Sequence, residues 1–127
     1  MPARILIVED NVDLLTILQE VLSADYEVVT AESGEAAIVL ARALEPDLVL
    51  LDIHLPGMSG IDAGMQIKQA AAPRFIPILV LTALAQNEAG SELIDSGCCD
   101  AVMVKPAPLP TIRAKVDELL YSHTEIT

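Results

Sequence analysis

Three acids, one hydroxyl and one lysine in this chain each close a short apolar run. Ile5–Val8 leads into Glu9 and Asp10, Leu48–Leu51 into Asp52, Ile78–Leu81 into Thr82, and Ala101–Val104 into Lys105 followed by Pro106. Clustered carboxylates repel. Two of them about 4 Å apart cost roughly 4 kcal/mol at an effective dielectric of about 20, unless one protonates or a cation holds them together. An all-oxygen donor set suits Mg²⁺, which takes one or two carboxylates, waters and a phosphoryl oxygen. Asp52 is the candidate nucleophile, since a carboxylate can form an acyl phosphate. Lys105 supplies a cation for Asp52 at rest and for a phosphoryl oxygen during transfer, and Thr82 supplies a donor to the same group. Solvated acids at a sheet edge are the plain alternative, weakened by the company these acids keep.

Continuous apolar runs of this length, bounded by turn residues and separated by helical patterns, read as strands buried on both faces of a parallel sheet. Between them, Leu14, Leu15, Leu18, Val21 and Leu22 recur at helical spacing behind a candidate Asn11 cap. Tyr26–Thr30 is a short β-branched strand. Ser33 caps a helix carrying Ala36, Ala37, Leu40, Ala43 and Leu44, which Pro46 stops. Pro56-Gly57-Met58-Ser59-Gly60 is a loop, and a third helix is expected around Ile61–Ala70 with Ser59 and Asp62 at capping-box spacing. A fourth runs roughly over Gln86–Ser96, ended by Gly97. A fifth starts after Pro108 or Pro110, carries Ile112, Val116, Leu119 and Leu120, and frays from Ser122. The expected fold is α/β, a doubly wound five-stranded parallel sheet, (βα)5 and flavodoxin-like, in the order 2-1-3-4-5. Strands 1 and 3 then flank the switch point, with Glu9, Asp10 and Asp52 at their ends.

The 127 residues form one domain, 1–122, with 123–127 as a C-terminal tail. Acids number 19 against 7 bases, a net charge of -12, so direct nucleic-acid binding is not expected. Tyr26, Phe75 and Tyr121 are the aromatic residues, leaving aliphatics and alanine to build the core. Adjacent Cys98 and Cys99 read as two buried or half-buried reduced thiols, because neighbours cannot close an unstrained disulfide and no histidine stands at metal-ligand spacing from them. The opening residues lack a secretory pattern and no apolar stretch reaches bilayer length. The expected setting is therefore cytoplasmic, with no membrane partner. Gly57 and Gly60 do not make a phosphate-binding P-loop, so the phosphate donor is not expected to be a bound nucleotide.

Together, Ile5-Leu6-Ile7-Val8-Glu9-Asp10, Asp47–Asp52 with Pro56-Gly57-Met58-Ser59-Gly60, Leu81-Thr82-Ala83, and Lys105-Pro106 resemble the receiver domain of two-component response regulators, in order and from Arg4 to about Leu120. The resemblance implies that Asp52 takes a phosphoryl group from phosphohistidine on a sensor histidine kinase or histidine phosphotransfer protein. It further implies that Glu9, Asp10, Asp52 and the His54 backbone carbonyl hold Mg²⁺, Asp10 most directly, and that Thr82 and Lys105 contact the phosphoryl group. Such a protein is not an enzyme beyond its own phosphoryl transfer and autodephosphorylation. Receivers draw the residue at the Thr82 position inward on phosphorylation and remodel the surface of helix 4, strand 5 and helix 5, which implies a switch in binding to a downstream effector that the residues do not identify.

Two positions depart from the pattern. Val102 stands where the switch residue is commonly Tyr or Phe, and Ala107 where Phe often follows Lys-Pro. A branched aliphatic cannot make the aromatic's rotamer swing, so output is expected to run through backbone shifts around Thr82 and helix 4. Stronger partner binding by Val102→Tyr, with phosphorylation intact, is the expected sign. His54 and Leu84 sit where they would tune water access to the phosphate, Met58 where it packs or shapes the loop; His123 lies in the tail. An alternative is a receiver-like interaction module that works without phosphorylation. Another is a haloacid-dehalogenase-type phosphohydrolase, disfavoured because His54 stands where its second acid belongs.

Overall fold

The computed structural model describes residues 2–83 and 90–124, and for 122–124 the backbone only. Strands and helices alternate: β1 (Arg4–Val8), α1 (Val12–Leu22), β2 (Glu27–Ala31), α2 (Gly34–Leu44), β3 (Leu48–Leu51), α3 (Gly60–Ala71), β4 (Ile78–Thr82), α4 (Gly90–Asp95), β5 (Ala101–Val104) and α5 (Leu109–Thr124). All strand pairs are parallel, in the order β2-β1-β3-β4-β5. The expected architecture and strand order are both present.

Successive strand residues face opposite sides, and the aliphatic runs therefore build two cores. Ile5, Ile7, Leu48, Leu50, Leu79 and Leu81 pack with Leu15 and Leu18 of α1 and Ile112 and Val116 of α5. Leu6, Val8, Val49, Leu51, Ile78 and Val80 pack with residues of α2, α3 and α4 on the other side. An apolar run without alternation is what a strand covered on both faces requires.

Register sets the site. Val8 pairs with Leu51 and Thr82 with Val104, so the residues that follow these strands emerge side by side at one edge. Asn11 caps α1 by accepting from the Leu14 N–H at 3.1 Å, and Ser33 caps α2 through Ala36 at 3.2 Å. Ser59 caps α3 through the Ile61 N–H at 3.0 Å, one residue before Asp62; among the described residues no bond joins Ser59 and Asp62, so the cap forms without the expected capping box.

The other departures are local. β2 begins at Glu27, one residue later than expected, because the Tyr26 N–H bonds back to Leu22 and stays in the turn after α1. α2 ends with Glu45 in the left-handed region at φ 48°, a conformation that a glutamate does not advertise. The described part of α4 starts at Gly90, and the expected start at Gln86 lies outside the described residues, as does Leu84. Gly97, at φ 87°, takes the terminating conformation expected of it. α5 starts directly after Pro108, and its backbone stays helical to Thr124 instead of fraying from Ser122. Cys98 and Cys99 are free and buried, as expected. Among the described residues no helix is long and apolar enough to cross a membrane.

Candidate functional site

Asp52 follows β3, and its backbone N–H bonds to the Val8 carbonyl at 3.0 Å. The residue is 6 % exposed, and both carboxylate oxygens are engaged. Oδ1 accepts from the His54 backbone N–H at 3.0 Å and from the Thr82 hydroxyl at 2.8 Å. Oδ2 lies 3.0 Å from Lys105 Nζ. The same ammonium reaches Glu9 Oε1 at 2.7 Å, and Glu9 Oε2 accepts from the Asn11 N–H at 3.1 Å. One lysine thus bridges two buried acids that arrive from different strands. Lys105 is held by its own strand end, where its N–H bonds to the Thr82 carbonyl at 2.9 Å.

The charges respond to this packing. Burial pushes the Glu9 carboxyl up, and the Lys105 and Asn11 bonds do not bring it back to its ordinary value of 4.5. Asp52 is buried too, but donors from His54, Lys105 and Thr82 outweigh that penalty and hold it below 3.8. Burial alone would lower Lys105; bonds to Glu9 and Asp52 outweigh it and keep the ammonium charged. Asp52 is therefore an ionised, oriented carboxylate, while Glu9 is the acid that the metal-free site accommodates least well.

Asp10 is exposed and completes the cluster: one carboxylate oxygen from each of Glu9, Asp10 and Asp52 lies within 4.8 Å of the others. Three hard anionic oxygens with a single lysine to balance them fit a small divalent cation such as Mg²⁺.

The backbone beneath Asp52 is packed too tightly for any residue but glycine at position 60. A Cβ at Gly60 would meet the Asp52 carbonyl oxygen at 2.5 Å and collide with Ile53 Cα. The Gly60 N–H also bonds to the Ile53 carbonyl at 2.9 Å, tying the start of α3 to the residue after Asp52. Sequence reasoning treated Gly60 only as a turn residue. A glycine directly after a helix cap, where alanine would favour the helix, was the available signal. It likewise missed the Asn11 N–H as a holder of Glu9.

The structure brings Glu9, Asp10, Asp52, Thr82 and Lys105 together. His54 is exposed, and what it gives Asp52 is its backbone N–H. Val102 does not join the cluster: it packs on the core layer shared with α4, where Gly90 lies against it. Met58 packs on the same layer beside Gly34, as expected of a loop-shaping residue. Beside Lys105 a cavity of about 210 Å³ is lined by Leu14, Leu81, Pro106, Ala107 and Ile112. The Thr82 hydroxyl donates to Asp52 Oδ1 in the unmodified protein.

A parallel sheet in this order, with acids at the switch point and a lysine at the end of the last strand, defines a receiver-type regulatory domain. Residues 5–117 match the response regulator receiver domain, and the chain belongs to that family. It is 36 % identical over 111 residues to the polar-differentiation response regulator DivK of Brucella anthropi, covering 87 % of this chain and 89 % of DivK. A CheY-like receiver protein from Methanospirillum hungatei shares the fold at a TM-score of 0.90, with 24 % identity and full coverage of both chains. The receiver domain of the Pseudomonas aeruginosa sensor histidine kinase PA1611, described with magnesium coordinated in its active-site cleft, is similar at 26 % identity and a TM-score of 0.83, over 94 % of this chain and 98 % of that one.

Proposed function

We propose that Asp52 is the phosphoacceptor of this receiver domain, charged from phosphohistidine on a sensor histidine kinase or histidine phosphotransfer protein. The observation that carries this reading is the Asp52 carboxylate itself: buried, ionised, and oriented by three donors with Lys105 among them. An Asp52 oxygen attacks phosphorus, the P–N bond of the donor breaks, and the imidazole leaves. Lys105 neutralises charge on the transferred group, and the Thr82 hydroxyl turns from the carboxylate to a phosphoryl oxygen. Glu9, Asp10 and Asp52, with the His54 carbonyl, would hold Mg²⁺. When bound, the ion supplies charge neutralisation and a fixed contact for a phosphoryl oxygen; the magnesium in the PA1611 receiver supports this. Water later hydrolyses the acyl phosphate, with His54 and Leu84 tuning its access. The protein is a regulator rather than a catalyst of external substrates. Its output is a change in partner binding around Thr82, with Val102 in place of an aromatic switch.

The test is intact mass after incubation with Mg²⁺ and a small acyl-phosphate donor. One added phosphoryl group, absent in Asp52→Asn and after chelation, is the expected result. No adduct on a folded protein, at times from seconds to hours, would overturn the proposal in favour of a phosphorylation-independent interaction module.

A further inference from the structure

The solvent face of α2 is apolar. Gly34, Ala37, Ile38 and Ala41 turn inward onto the core, and on the opposite side Ala36, Val39 and Ala43 are exposed, Val39 at 64 %. A surface helix ordinarily carries its charged residues on that outer side. In α2 the polar side chains are Glu35 in the first turn and Arg42 in the last. Each suits the helix dipole, which accounts for the two charges but not for the valine and alanines between them.

Charge is the second, independent observation. Among the described residues neither Glu35 nor Arg42 has a hydrogen bond or ion pair through its side chain. Arg4, Lys68, Lys105, Arg113 and Lys115 each pair with an acid of their own chain, and Arg74 is turned onto the Pro46 carbonyl. Arg42 is therefore the base left without a partner on a chain of net charge -12. Two copies of so acidic a protein repel across most of their surface. The outer face of α2 carries one charge of each sign and is neutral.

Spacing selects the occupant. Glu35 and Arg42 stand about two turns apart along one line of the helix, as do Ala36 and Ala43. Reversing the helix direction brings the acidic start of one copy level with the basic end of another. We propose that α2 is the contact between two copies of this chain, packed antiparallel about a two-fold axis at Val39, with Glu35 of each copy against the partner's Arg42. The interface is isologous, so both ion pairs form at once. The alanines let the two backbones approach closely. One pair of short helices covers less than the roughly 1,200 Å² of a standard interface, so the dimer is weak and builds up with concentration. Glu9, Asp10, Asp52, Thr82 and Lys105 lie off α2, and the contact does not depend on phosphorylation.

The test is sedimentation velocity of the full chain from about 10 µM to about 1 mM, spanning the range of weak interfaces. The mass is expected to rise from monomer towards dimer, equally in Asp52→Asn, while Val39→Glu stays monomeric. Arg42→Glu sets like charges opposite each other twice and weakens association about 10-fold. Adding Glu35→Arg to it exchanges the two charges and restores the dimer; circular dichroism checks that each variant is folded. As a second readout, Val39→Cys gives a disulfide-linked dimer on mild oxidation and Val12→Cys, exposed on α1, does not. The proposal is overturned if the chain stays monomeric at every concentration, which would leave the face to solvent or to a different protein. It is equally overturned if a dimer survives Val39→Glu, if the folded charge exchange regains nothing, or if the two cysteine variants cross-link alike.

Discussion

Replacing Thr82 with valine tests whether the threonine hydroxyl is engaged at Asp52 before any phosphate arrives. Valine keeps the shape and removes one donor at a residue that is 0 % exposed. The lost bond is 2.8 Å long and goes to a charged acceptor, worth about 1.5–3 kcal/mol. Asp52 Oδ1 keeps the His54 N–H, so it is not orphaned. The added buried methyl returns up to about 0.8 kcal/mol. A net loss of about 1–2 kcal/mol follows, read as a lower urea midpoint by circular dichroism of the metal-free protein in chelator at pH 7.5, the chain having no tryptophan. The deficit has a definite pH dependence. Asp52 is held below 3.8, so its contribution to stability is present above that value and lost as pH falls through the folded one. Removing the Thr82 donor raises the folded value and shrinks that contribution. The gap between variant and wild type is therefore widest near neutrality and closes in acid. In the Asp52→Asn background the bond is between neutral groups, and a coupling of about 1 kcal/mol is expected from the double-mutant cycle. A midpoint unchanged at pH 7.5, or the same loss in both backgrounds, would refute an inward Thr82 in the resting protein.

Three further outcomes are expected. Gly60→Ala forces a methyl against the Asp52 carbonyl and Ile53 backbone, which cannot rotate away; a loss of about 1–3 kcal/mol in the urea midpoint and weaker Mg²⁺ binding by calorimetry should follow, and wild-type values for both would contradict the close approach. Glu9 is raised above 4.5, so its protonated form favours folding below that pH and the advantage disappears as pH rises through the folded value. In chelator, the stability of wild type minus Glu9→Gln should therefore fall as pH increases above 4.5, and a flat difference would count against burial as the cause. Burial, with Cys98 alongside, pushes the Cys99 thiol up to about 12, and Cys98 is wholly shielded from solvent, so a disulfide reagent at pH 8 should label neither cysteine in the folded protein and both after unfolding; rapid labelling of the native state would contradict that.

Much of this protein is set by local pattern. The continuous aliphatic runs at Ile5–Val8, Leu48–Leu51 and Ile78–Leu81 specify doubly covered strands, because only a sheet packed on both faces hides consecutive side chains; Ala101–Val104 reads the same way but forms the edge strand, where Val104 is exposed. Asn11, Ser33 and Ser59 mark helix starts because their short side chains reach unpaired N–H groups. A reader of those signals alone reaches five strands, five helices, and the residues that gather at one edge.

What they do with one another was not legible. Lys105 reaches both Glu9 and Asp52, from 96 and 53 positions away, and the opposite displacements of the two acids follow from burial and donor count, which exist only once β1, β3 and β5 lie in register. Gly60 needs its missing Cβ only because the Asp52–Ile53 backbone passes beneath it. Tyr26, Phe75 and Tyr121 are scattered in the chain and meet because the α1–β2 connection, the α3–β4 connection and the end of α5 lie at the same pole. Sequence by itself determined the elements and the chemical types at their ends, since propensity and burial period act over a few residues. Tertiary structure decided the distances, charges and clearances, since electrostatic coupling and steric contact act through space.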